Sequence, residues 1–98
     1  MLYIVNKSPS DSQALVNCLQ RARTGDAVLL IEHAVLAVCS SQRLLAEAIK
    51  AGVAAFALQP DMQARGIEVT RGLDNIQCID YSGFVELVEN NKVIRSWS

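Results

Sequence analysis

No stretch of this chain approaches the roughly 18 consecutive apolar residues that a bilayer-spanning helix needs, and Met1 to Ser10 lack both the basic head and the apolar run of a signal peptide. The expectation is a cytoplasmic protein with no membrane partner. A single histidine, His33, makes an acyl-transfer triad or a multi-histidine metal site hard to assemble. The three cysteines stand at 18, 39 and 78, without CxxC spacing. An odd number so widely spaced reads as free thiols in a reducing compartment, not as a disulfide framework or a zinc site. Neither a GxxxxGK[ST] loop nor a GxGxxG turn follows the first apolar run. Positive charge is scattered: Lys7, Arg21, Arg23, Arg43, Lys50, Arg65, Arg71, Lys92 and Arg95 form no run, and the formal balance is -1 with a pI near 5.7. Direct binding of nucleic acid needs a clustered basic surface, so none is expected. These absences speak against a stand-alone hydrolase, nucleotide enzyme or metalloenzyme, and no cofactor is expected.

What is present is apolar. Hydrophobic residues make up 51% of 98 positions, enough for one core spanning residues 1–98 and for apolar surface left over for a partner. Leu2-Tyr3-Ile4-Val5 and Ala27-Val28-Leu29-Leu30-Ile31 are short unalternating runs, the pattern of strands buried on both faces of a parallel sheet. Between them, Ser8, Ser10 or Asp11 supplies capping oxygens for a helix from Asp11 to about Arg23, whose stripe is Leu15, Cys18, Leu19 and Ala22, ended by Thr24-Gly25. Ala34 to Cys39 is apolar on every side of a helical wheel and must be covered, by its own domain or by a neighbouring subunit. Ser40-Ser41 is a cap for a second helix, Gln42 to Lys50, closed by Gly52. Val53 to Leu58 reads as a third strand, Met62 to Arg65 as a short helix, and Ile76 to Ile79 as a fourth strand. Asp80 opens a last helix to about Asn90, and the tail from Lys92 to Ser98 has the makings of an edge strand. This order predicts a three-layer α/β/α domain with a mostly parallel sheet.

Thiols are the remaining chemistry. A sulfur carrier needs a thiolate, favoured by a nearby cation or a helix N-terminus. Cys18 sits on a helical stripe with Arg21 and Arg23 close in sequence, Cys39 ends the apolar segment, and Cys78 lies between isoleucines. All three fit packing roles, because free cysteine is among the most buried residue types. His33, with Glu32 beside it, falls after the second strand, at the carboxyl edge where open α/β sheets place ligands. A large aromatic near a terminus, Trp97, suits docking on its own domain or on a partner.

Four segments carry a resemblance. Met1 to Pro9 is similar to the amino terminus of the TusB/DsrH family. Pro60-Asp61-Met62-Gln63-Ala64-Arg65-Gly66 resembles its D-L-x-A-R-G segment, Ile79 to Val85 resembles its I-D-Y-x-x-F-V segment, and Trp97 falls where the family ends in tryptophan. The resemblance implies a DsrE-like fold and a place in a heterohexamer with two related sister subunits, TusC- and TusD-like, that passes persulfide sulfur to a downstream acceptor protein. In the Tus branch the sulfur goes toward 2-thiolation of the tRNA wobble uridine; in the Dsr branch a similar complex serves sulfur oxidation. The principal carrier cysteine belongs to the largest subunit, so a scaffolding and partner-binding role is implied here; the candidate contacts are the apolar segment Ala34 to Val38, Val35 and Leu36 above all, and the last helix with Trp97. Dsr-branch members have a cysteine in a segment resembling Asn17-Cys18-Leu19, which makes Cys18 a candidate persulfide carrier in the alternative reading. A third reading is a small-ligand regulatory module using the edge near His33. The family often has Asp-Gly after the second strand, where this chain has His33-Ala34.

Overall fold

A computed structural model describes residues 1–10, 12–67 and 76–97. The apolar runs form strands β1 (Leu2–Val5), β2 (Ala27–Leu30) and β3 (Ala54–Leu58), joined by β4 (Gln77–Ile79) and β5 (Ile94–Trp97). They pair in the order β4-β3-β2-β1-β5, with every pairing parallel. β2 is central and each of its four residues is buried, which is why its sequence does not alternate.

Among the described residues five α-helices connect the strands: α1 (Ala14–Arg21), α2 (Ala37–Ser40), α3 (Gln42–Lys50), α4 (Gln59–Ala64) and α5 (Tyr81–Asn90). Alternation along the strands sends Tyr3, Val5, Val28, Leu30, Ala55 and Ala57 to one face, where Leu15, Cys18, Val38, Leu45 and Met62 of α1 to α4 pack on them. Leu2, Ile4, Leu29 and Phe56 point the other way, where among the described residues the helix that meets them is α5, through Phe84, Leu87 and Val88. The layers are therefore unequal. No residue of α5 is fully buried, and Tyr81 and Val85 on it are 62% and 52% exposed. Among the described residues no helix is long and apolar enough to cross a membrane.

Local chemistry sets most element ends. Asp80 caps α5 by accepting the Gly83 N–H at 2.9 Å. Gly83 is also required by close approach, since a Cβ there would lie 2.8 Å from that of Ile79. Gly52, at φ +98°, ends the α3 connection in the left-handed region. α1 begins at Ala14, later than the capping residues suggested: Ser8 Oγ accepts from Ser10 N–H and Ser12 Oγ from Ala14 N–H, so these hydroxyls first build turns. Asp11, the other expected cap, lies outside the described residues. α4 begins at Gln59, earlier than Met62, because Pro60 fits a first helical turn, where no N–H is needed. The Ser40-Ser41 cap does not form. Ser40 Oγ instead donates back to the Leu36 carbonyl at 3.1 Å.

The thin layer yields a test. Leu29→Ala, at a wholly buried position under α5, is expected to cost about 2–5 kcal/mol in urea unfolding. Val85→Ala on the outer side of the same helix should stay within about 0.5 kcal/mol of the parent.

Candidate functional site

Parallel strands that start together end together, so the segments after β1, β2 and β3 share the carboxyl edge of the sheet. After β2 the chain enters a tight 3-10 turn, Glu32–Leu36, instead of the helix expected from Ala34 onward; only Ala37–Ser40 completes an α-helical turn. Glu32 enters that turn at φ +52°, a left-handed conformation that costs a non-glycine residue about 1 kcal/mol or more. Its N–H is held by Asp61 Oδ2 at 2.6 Å, a hydrogen bond to a charged acceptor that offsets the strain. Asp61 comes from the first turn of α4, so the two strand ends are tied across 29 residues of sequence.

Arg65, after the last turn of α4, completes the cluster. Its Nη1 donates to the Asp61 carbonyl at 3.1 Å and its Nε to His33 Nδ1 at 3.3 Å. That contact holds the exposed His33 ring against α4 at the carboxyl edge of the sheet. Asp61 and Arg65 are the charged residues of the D-x-x-A-R-G segment, and their work here is to shape the turn bearing His33. The cluster contains no thiol or hydroxyl nucleophile. Among the described residues, no group of three or more His, Cys, Asp and Glu side chains could hold a metal ion.

The thiols lie elsewhere. Cys18 is wholly buried between α1 and the sheet, and burial, followed by the charge of Asp26, pushes its thiol up to about 12. Its neighbours in sequence, Arg21 and Arg23, are exposed and do not lower it. Cys78 is half-buried in β4, with Sγ 3.6 Å from Met62 Sδ, and burial raises its thiol too. Cys39, expected to pack, is exposed: in the single turn of α2 the buried positions are Ala37 and Val38, and Cys39 falls on the outer side.

Val35, expected to face a neighbouring subunit, instead packs wholly inside its own domain. The 3-10 turn rotates it inward and the sheet supplies the cover that the apolar segment requires. Leu36 is half-buried at the rim of the same core. Trp97, the last residue of β5, is half-buried: its ring lies 6.5 Å from that of Tyr3 at an interplanar angle of 56°, and the Arg21 guanidinium sits 5.7 Å above it.

Two measurements follow from this geometry. Asp61→Ala should lower stability by about 1 kcal/mol, the net loss of a hydrogen bond to a charged acceptor at an exposed turn where water takes over the Glu32 N–H. Adding Glu32→Gly should return about 1 kcal/mol, because glycine relieves the left-handed strain. Both are read by urea unfolding. The folded state keeps the Cys18 proton up to about 12, while an unfolded thiol releases it near 9.0. Above pH 9 the unfolded chain thus binds fewer protons, and stability must fall as pH rises. A Cys18→Ser variant should lack this component, a difference in slope approaching ~1.4 kcal/mol per pH unit.

Comparison with known proteins places the chain. A family model described as DsrH like protein matches residues 7–94. Protein TusB of Photorhabdus laumondii subsp. laumondii is 36% identical over 97 residues, covering 99% of this chain and 100% of the relative. Protein TusB of Serratia proteamaculans is 34% identical with the same coverage. The fold is similar to the crystal structure of the ychN protein from E. coli, with a TM-score of 0.81 at 18% identity over 97% of each chain. It is also similar to the solution structure of Tm0979 from Thermotoga maritima, with a TM-score of 0.68 at 22% identity over 94% of this chain and 95% of that one. Matched nearly end to end by the DsrH model and by curated TusB proteins alike, the chain belongs to the TusB/DsrH family.

Proposed function

We propose that this chain is a partner-binding subunit of a Tus-type sulfur-relay complex in the cytoplasm. It assembles with two related DsrE-like sister subunits in a heterohexamer that passes persulfide sulfur to a downstream acceptor, toward 2-thiolation of the tRNA wobble uridine. The observation that carries this reading is the end-to-end similarity to proteins named TusB. The role within the complex is that of a scaffold, and the burial of Cys18 supports it. A persulfide carrier must meet a donor and then an acceptor in line with its sulfur, and as a thiolate. Cys18 is wholly buried, with its thiol pushed up to about 12, so it offers neither access nor the reactive form near neutral pH.

Apolar surface remains for partners. Tyr81 and Val85 on α5, with Val93 and Ile94 at the start of β5, are the large exposed hydrophobics besides Met1 among the described residues. Trp97 and Leu36 keep part of their surface open. Side chains of this kind gain most when a partner excludes water from them.

A tagged pull-down from the native cell, sized by light scattering with its chains identified by mass, is expected to recover two sister subunits in a hexamer. Recovery of this chain alone, as a monomer or homodimer, would overturn the reading. In the recovered complex, Cys18→Ser should leave the rate of sulfur transfer to the acceptor within about twofold, because loss of a side chain that neither binds nor reacts leaves the barrier unchanged.

A further inference from the structure

The arginines scattered in the sequence converge in space. Arg21 and Arg23, at and beyond the end of α1, and Arg95, on β5, line one open cleft of about 380 Å³ together with Tyr3, Trp97 and Met1. Among the described residues none of the three arginines lies within ion-pair distance of a carboxylate. Asp26, beside Met1 and Arg23, is occupied by the Met1 ammonium at 3.3 Å and the Arg23 N–H at 2.9 Å. The indole Nε1–H of Trp97 is buried and has no acceptor among the described residues.

The cleft adjoins an open strand edge. β5 pairs with β1 on one side, and among the described residues nothing pairs with its other side. The Val93 and Trp97 carbonyls accept from Leu2 and Asn6, so alternation turns the N–H and C=O groups of Ile94 and Ser96 outward. Side chains alternate too: Arg95 and Trp97 stand on the α1 face with Tyr3 and Val5, while Ile94, 39% exposed, stands on the α5 face.

We propose that this edge and cleft bind an extended acidic segment of a partner protein in which acidic and apolar residues alternate. Such a segment adds a strand beside β5 through the free backbone groups of Ile94 and Ser96. Its acidic side chains then fall every second residue over Arg21, Arg23 and Arg95, and its apolar ones beside Ile94. Charge complementarity selects this occupant over a nucleic acid. Removing the three arginines from nine Lys+Arg leaves six against ten Asp+Glu, a balance of -4 over the rest of the chain. A long polyanion is repelled by that remainder, whereas a short segment meets only the cleft. The inference does not rest on the sulfur-relay reading: a hexamer that fails to assemble leaves the peptide result standing, and the converse also holds.

The test uses the full chain and a fluorescein-labelled, end-blocked peptide alternating glutamate and valine, followed by anisotropy. Trp97, the sole tryptophan, gives a second readout through its emission. Saturable binding that shifts Trp97 emission is expected, weakened at least about tenfold by Arg21→Glu with Arg95→Glu, since reversed charges convert attraction to repulsion. Arg95→Gln should weaken it less, and Arg43→Glu, on exposed α3 away from the cleft, should leave it unchanged. Circular dichroism checks each variant's fold. The proposal is overturned if a lysine–valine peptide, or a glutamate–valine peptide with its acids in one block, binds as well. Retained binding in the Arg21→Glu, Arg95→Glu variant, or tighter binding of a single-stranded RNA dodecamer, would overturn it equally.

Discussion

The fold depends on one constraint: β2 is buried on both faces and flanked by parallel strands on both sides. A parallel neighbour cannot be reached by a hairpin, so each connection must cross over a face of the sheet. From β1 to β4 the strands advance in one direction, and right-handed crossovers then lay α1 to α4 on the same face. The return from β4 to β5 runs from one edge of the sheet to the other, which puts α5 on the opposite face. Among the described residues one layer holds four helices, and the other holds α5, whose outer residues Tyr81 and Val85 are exposed. The open edge at β5 and the exposed surface of α5 both follow from this order of strands.

The same asymmetry sorts the thiols. Cys18 lies under the four-helix layer, where a thiolate would have no solvation, and it stays protonated for that reason. Cys39 falls on a one-turn helix too short to hide it, and Cys78 on an edge strand that is half covered. Reactivity therefore does not follow proximity to positive charge along the chain. Arg21 lies three residues from Cys18, yet its guanidinium sits over Trp97, outside the core that holds the thiol. Residues three apart are neighbours on one helix surface, so it is the length of the arginine side chain that carries its charge out to the rim over Trp97 while the short thiol stays in the core.

Electrostatics shows the converse. Residues far apart in the chain act together because strand ends and edges gather them. Glu32 and Asp61 meet since β2 and β3 finish at one edge, and Arg65 then reaches His33. Arg95 joins Arg21 and Arg23 because β5 pairs with β1, beside α1. In each case the parallel register sets the meeting, and the side chains only exploit it.

Much of the architecture was legible in the residues. Unalternating apolar runs marked the buried strands, Asp80 and Gly52 marked helix limits, and the tail was correctly read as an edge strand. These are local signals, carried by hydrophobic period and by capping or turn chemistry, and they survive into the fold because nothing distant opposes them. Which neighbour covers an apolar segment is not local. The segment from Ala34 to Cys39 is apolar all round, so its sequence is equally consistent with cover from its own domain or from another subunit. Only the tertiary structure decided that Val35 turns inward and Cys39 outward. Likewise the charges of Asp61 and Arg65 announce no partner until the strands align. The reason is physical: burial and charge pairing are properties of proximity in space, and proximity between distant segments is decided by strand order and register, which no short window of sequence contains.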